Sequence, residues 1–125
     1  MLDGPFLGSA AVAAGLLTPT QLRGKRYAPV FRDVFVPADA EQDLRLRSTA
    51  AFLLAPALGV LAGHSAAELL GAHCSPVNAP AELIAPRGDV RPRRGLVIRQ
   101  YTLDEHEVGT VAGCRVTTPL RTAWD

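Results

Sequence analysis

Thr18-Pro19-Thr20-Gln21-Leu22-Arg23-Gly24-Lys25-Arg26, continuing as Tyr27-Ala28-Pro29-Val30-Phe31-Arg32-Asp33-Val34-Phe35-Val36-Pro37, is the stretch on which the fold turns. Thr18 is suited to cap free backbone N–H groups, and Pro19 fits the first helical position. Gln21 stands where a capping box needs it, so a helix is expected over 19–23. The basic residues Arg23, Lys25 and Arg26 follow at once. Val30, Val34, Phe35 and Val36 then read as a two-stranded ribbon turning near Arg32-Asp33. Upstream, the alanine-rich segment 8–15 is helical by propensity, and Gly15 is placed to end it.

Helix, turn, helix and ribbon follow one another in winged-helix order. The expected fold class is α+β: a reduced winged helix-turn-helix over 1–37, then a small mixed helix and strand domain over 38–125. In that second part, 39–55 reads as the longest helix, capped by Asp39, with Leu44, Ala51 and Leu54 on one face and Pro56 ending it. His64-Ser65-Ala66-Ala67-Glu68 reads as another helix start, with a Ser65/Glu68 capping box and a stop at Gly71. A proline-rich loop spans 74–80. Stretches 81–85 and 95–100 read as a hairpin whose tip carries Arg87, Arg91, Arg93 and Arg94. A cap signal at Thr102 and an acidic first turn precede short strands about Gly113. Thr117-Thr118-Pro119-Leu120 announces a last helix, with Leu120 and Trp124 on one face. Because Asp125 follows so soon, the chain reads as truncated relative to the fold it builds.

The 125 residues carry a formal net charge of +1 and 48% hydrophobic residues, much of them alanine, so global charge selects no partner. Lys25 is the sole lysine, and this arginine-, alanine- and proline-rich usage is that of a GC-rich bacterial coding sequence. A chain this long can remove roughly two-thirds of its unfolded surface from water. Cys74 and Cys114 are too few for a disulfide framework, and free, mostly buried thiols are expected. The N-terminus has no basic n-region and the apolar stretch 50–63 is short and broken by Pro56 and Gly59. No membrane span or export is expected, and the cytoplasm is the default.

The run Ala13-Ala14-Gly15-Leu16-Leu17-Thr18-Pro19-Thr20-Gln21-Leu22-Arg23, with Phe31-Arg32-Asp33-Val34-Phe35-Val36, resembles the amino-terminal winged helix of AbiEi-type antitoxin and regulator proteins of type IV toxin–antitoxin systems. Gly63-His64-Ser65-Ala66-Ala67-Glu68-Leu69-Leu70-Gly71, Ile84-Ala85-Pro86-Arg87-Gly88 with Gly95-Leu96-Val97-Ile98-Arg99, and the run from Gly113 through Thr117-Thr118-Pro119-Leu120 to Ala123 are similar to the same group. The resemblance covers nearly the whole chain. It implies a non-catalytic, DNA-binding regulator or antitoxin-like protein that meets operator DNA and a cognate toxin. In actinobacterial relatives the same region precedes a module like a very-short-patch-repair endonuclease, so the chain also reads as the non-catalytic N-terminal part of such a protein. A third reading is a protein-interaction module that binds a toxin without DNA affinity. The first helix of a full winged helix is missing here or reduced to the few residues before Ser9.

The resemblance places the DNA contact on Gln21, Arg23, Lys25, Arg26 and Arg32, mostly through phosphates, with Gln21 the one base-reading side chain nearby. Arg87, Arg91, Arg93 and Arg94 form a second basic site without interleaved aromatics. His64, His73, Cys74, His106 and Cys114 show no metal-ligand spacing, and no metal or cofactor is expected. His64 and Ser65 are neighbours that diverge and cannot share a proton. Asp104, Glu105 and Glu107 suit a helix N-terminus. No nuclease pattern of acidic residue-x-Lys is present, because Lys25 follows Arg23-Gly24, and no catalytic residue is assigned. Homodimerisation is expected on the ground that palindromic operators suit two-fold proteins.

Overall fold

The computed structural model describes residues 4–72, 75–76, 78–86, 88, 90–91, 93–100 and 103–119. The N-terminal part runs β1 (Phe6–Leu7), α1 (Gly8–Ala13), α2 (Pro19–Leu22), β2 (Tyr27–Phe31) and β3 (Val34–Pro37). The three strands form an antiparallel sheet in the order β1-β3-β2. Gly15, at φ 76°, ends α1: its N–H meets the carbonyl of Val12 at 3.0 Å while Leu16 N–H meets Ala11 at 3.0 Å. That reciprocal pair satisfies two carbonyls the helix end would orphan. The Thr18/Gln21 capping box forms as expected, through Gln21 N–H to Thr18 Oγ1 at 3.1 Å and Thr18 N–H to Gln21 Oε1 at 2.9 Å. The helix it starts is four residues long.

The ribbon turns at Arg32-Asp33, with Phe31 opposite Val34. Asp33, at φ 65°, folds back on the start of α1. Its carbonyl accepts Gly8 N–H at 2.8 Å, and its carboxylate accepts Ser9 N–H at 2.8 Å and the Ser9 hydroxyl at 2.5 Å. Strand alternation places Val34 and Val36 inward, fully buried, and Phe35 on the opposite face beside Phe6.

The second part comprises α3 (Leu44–Phe52), β4 (Val60–Leu61), α4 (Gly63–Leu69), β5 (Ala81–Ile84), β6 (Leu96–Arg99), one 3-10 turn (Glu105–Glu107), β7 (Val108–Val111) and β8 (Cys114–Thr117). Its strands form a mixed sheet in the order β6-β5-β4-β8-β7. β7 and β8 are the short strands expected about Gly113, and they pair as a hairpin turning at Ala112-Gly113. Among the described helices α3 is the longest, as expected, but it begins at Leu44. Its cap is Asp43, whose carboxylate accepts Leu46 N–H at 2.9 Å, and not Asp39. Capping needs the side chain one position before the first helical residue, and the polar stretch 39–43 leaves three acids in contention. Thr102 and 120–125 lie outside the described residues, as does the face of Leu120 and Trp124.

Two further expectations are corrected. Ser65 does not cap α4. Ala62 occupies the N-cap and Ser65 sits inside the first turn, fully buried. Its hydroxyl accepts Glu82 N–H at 2.9 Å and contacts the Ser48 hydroxyl at 2.7 Å, tying α3, α4 and β5 together. The start of α4 is capped in trans by Glu82, which accepts His64 N–H. Nor are 81–85 and 95–100 a hairpin: β5 and β6 pair parallel, with Ala81 opposite Leu96 and Ile84 opposite Arg99. Parallel pairing requires the connection to return along the strands, so the arginine-bearing segment is a crossover.

One core joins the two sheets. Phe31 and Val34 of the ribbon pack in the same cluster as Ala50, Ala51 and Phe52 of α3, Ala66 and Leu69 of α4, and Leu61, Leu83 and Val116 of the larger sheet. Alanines at the α3 contact let backbone elements approach closely, which is how a chain poor in large side chains still closes a core. The opposite face of the larger sheet carries Val60, Ala62 and Ile84, met by Leu103 and Val108.

Candidate nucleic-acid interface

Gln21, Arg23, Lys25 and Arg26 are all exposed and lie where the short α2 runs into β2. Gln21 is already committed in part, because its Oε1 accepts Thr18 N–H. Bidentate reading of adenine needs both the oxygen and the amide nitrogen, so that mode of base reading is closed to Gln21 while the capping box holds, and only its amide N–H donors remain. Arg23 turns its Nε back to the Pro19 carbonyl at 3.3 Å. Lys25, Arg26 and Tyr27 border two open depressions. One, of about 330 Å³, is completed by Leu17, Gln21 and Gly24, and the other, of about 410 Å³, by Pro37, Ala38 and Asp39.

Arg32 is not part of that cluster. The strand Tyr27–Phe31 separates it from Arg26, and at a strand rise of about 3.3 Å per residue the gap is roughly 15–20 Å. Instead Arg32 shares a depression of about 380 Å³ with Val30, Phe31, Arg91, Arg93 and Arg94. Two stretches of sequence almost sixty positions apart are thus joined into one arginine-lined surface, because β2 packs on α3 and the crossover between β5 and β6 returns beside it. Among the described residues the lining contains no carboxylate; Asp89 lies outside them. Asp33, next to Arg32 in sequence, is engaged with Ser9. Arg93 Nε donates to the Arg91 carbonyl at 3.2 Å, which fixes the local course of the segment. Arg87 lies outside the described residues.

The other candidates of the sequence resolve into local structure. His64 is exposed, with Nδ1 3.0 Å from the Ser75 hydroxyl. Asp104 N–H donates to Glu107 Oε1 at 3.1 Å, so this acidic group closes its own turn. Cys114 is a buried free thiol, pushed up in pKa by burial, with Arg45 acting in the opposite sense. His73 and Cys74 lie outside the described residues, among which no cluster of three metal-ligating side chains occurs. Among them too, no helix is long and apolar enough to cross a membrane. Tyr27 was overlooked from sequence. Its signal was adjacency: an aromatic directly after Lys25-Arg26.

No family model, curated protein or solved structure matches the chain.

Proposed function

We propose that this chain is a non-catalytic DNA-binding regulator or antitoxin-like protein whose N-terminal part is a reduced winged helix-turn-helix, as its resemblance to AbiEi-type antitoxins implies. The observation that carries the reading is the depression uniting Arg32 with Arg91, Arg93 and Arg94. Four guanidinium groups gathered in one depression, with no carboxylate among its described lining residues, favour a polyanion, and arginine forks suit phosphate oxygens. The strand-helix-helix-strand-strand order with sheet order β1-β3-β2 supports the same reading, with Arg32 at the tip of a two-residue wing. Because α2 is one turn and Gln21 is engaged, binding rests on the backbone, and specificity comes from DNA shape more than from base edges.

The test is fluorescence anisotropy of a labelled duplex from the chain's own upstream region across a salt series. Four phosphate contacts give a log–log slope of roughly −3 to −4. Replacing Arg32, Arg91, Arg93 and Arg94 by alanine should flatten that slope, and a wild-type response that is already flat would remove the proposal. A second reading, a module that binds a cognate toxin, draws on the apolar depression of about 660 Å³ bordered by Leu58, Val60, Ile84, Leu103 and Val108. Leu58 is 61% exposed there.

A further inference from the structure

The Lys25-Arg26-Tyr27 corner differs in kind from the arginine depression, because its two cations share their depressions with an aromatic side chain. Tyr27 is half-buried, and its ring meets Phe6 edge-on at 5.4 Å between centroids, 86° between planes, while Phe6 stacks on Phe35 at 6.3 Å. The ring is therefore held by Phe6, which is itself backed by Phe35. The backbone beside it is held too, since Ala38 N–H donates to the Arg26 carbonyl at 2.8 Å. A stacking surface fixed before binding loses little entropy when a ligand arrives.

The niche on the α2 side is walled by Leu17 and Tyr27, with Gln21, Lys25 and Arg26 around it. Its volume, about 330 Å³, falls at the small end of small-ligand pockets, about 300–1,000 Å³. Gln21 has its Oε1 occupied but retains the two donors of its amide nitrogen, which suit a carbonyl or ring-nitrogen acceptor on a base edge. The second depression includes Asp39 in its lining, which repels phosphate and makes it the less suited of the two to an anionic ligand.

We infer that this niche binds one unpaired nucleotide, with the base against the Tyr27 ring, its edge toward Gln21, and its phosphates on Lys25 and Arg26. In a duplex each base face is covered by its neighbours. Away from the duplex ends, a free face for an aromatic ring is offered by an unpaired base, at a single-stranded tail or gap. The preferred DNA is then a duplex with a single-stranded extension. This inference extends the duplex-binding reading and fails separately from it.

The experiment compares fluorescein-labelled blunt duplex, the same duplex with an unpaired thymine tail, and the tail strand alone, with wild type, Tyr27→Leu and Tyr27→Phe. The tail should tighten binding about tenfold, the size of one base–aromatic stack. Tyr27→Leu should remove that gain with blunt-duplex affinity unchanged, and Tyr27→Phe should keep it. Equal affinity for blunt and tailed duplex, or a Tyr27→Leu loss equal on both, overturns the inference. Binding of the tailed and single strands without blunt-duplex binding upholds the niche and overturns the duplex reading. As a second readout, thymidine monophosphate should shift the Tyr27 ring resonances in the NMR spectrum of the wild-type chain. Unmoved resonances at saturating nucleotide count against it even where Tyr27→Leu fails to fold.

Discussion

Asp33 is the residue whose role is least like its appearance in sequence. In Phe31-Arg32-Asp33-Val34 it reads as a turn former, yet its carboxylate caps α1 from a distance and its backbone takes the left-handed conformation at φ 65°. Asp33→Ala removes both carboxylate bonds while keeping a side chain unsuited to that φ. It should cost about 1–2 kcal/mol, the loss of an N-cap with added backbone strain, measured by urea unfolding. Asp33→Gly keeps the turn and loses the cap, so it should fall between the two; a Gly variant no less stable than wild type would show that the cap contributes nothing.

Cys114 makes a second residue-scale prediction. Its thiol is raised by burial, so at alkaline pH the unfolded chain ionises first and binds fewer protons than the folded chain. Stability from this group is complete below the unfolded thiol pKa of about 8.5 and declines as pH rises toward the folded value. In a Cys74→Ser background, Cys114→Ala should weaken that alkaline decline, and alkylation of Cys114 should be slower than that of free cysteine by its degree of protection. An alkylation rate equal to free cysteine would show that the thiol is not buried in solution.

At the scale of elements, the start of α4 depends on Gly63 and Glu82 together. Gly63 adopts φ 52°, and a Cβ there would collide with the Glu82 carboxylate that accepts His64 N–H and pairs with Arg99 Nη2 at 2.8 Å. Glu82 is 6% exposed, so Glu82→Ala withdraws a buried acceptor from both partners. Because the Arg99 side chain is 37% exposed and partly screened, a cost of about 2–4 kcal/mol is expected, below that of a fully buried pair. Differential scanning calorimetry of Glu82→Ala and Glu82→Gln separates the charge from the hydrogen bonds. Gln retains an acceptor and should recover part of the loss. A Gln variant as unstable as Ala would place the whole effect on the charge.

The element scale also marks what local reading can and cannot reach. The Thr18/Gln21 box, the Gly15 and Gly71 stops and the turn at Ala112-Gly113 are contacts within a few residues, and each formed where the sequence places it. The Ser65/Glu68 box had the same spelling and did not form. A tertiary acceptor, Glu82, took over the helix end, while Ser65 was drawn inward to bridge Ser48 and Glu82. Strand direction was equally beyond local signals, since 81–84 and 96–99 have the same apolar character whether paired parallel or antiparallel.

For the whole molecule, the shared core predicts one cooperative transition. Phe31 lies in the ribbon but packs with Ala50, Ala51 and Leu83 in a single cluster. Phe31→Ala should therefore cost about 3–5 kcal/mol and lower the midpoint for every probe together. Far-ultraviolet circular dichroism and backbone amide exchange should report coincident changes in both sheets. A ribbon that unfolds well before the larger sheet would contradict a common core. The arginine depression belongs to this scale as well, because Arg32 and the 91–94 segment meet through that packing. Phe31→Ala should accordingly weaken DNA binding at fixed temperature, although it removes no cation.

What the sequence by itself determined is the presence of the helices α1 to α4, the ribbon at Arg32-Asp33 and short strands about Gly113, while the two-residue strands β1 and β4 were not legible in it. It also marked the basic residues as two clusters. These follow from backbone preferences and hydrogen bonds that close within a few residues, so a linear string contains them. Tertiary structure alone decided that Arg32 leaves its sequence neighbours for Arg91, Arg93 and Arg94, that β5 and β6 run parallel, that Glu82 rather than Ser65 caps the start of α4, and that Tyr27 packs edge-on with Phe6. Each of those depends on which surfaces exclude water against one another, a competition settled by the packing of the entire chain and encoded at no single position.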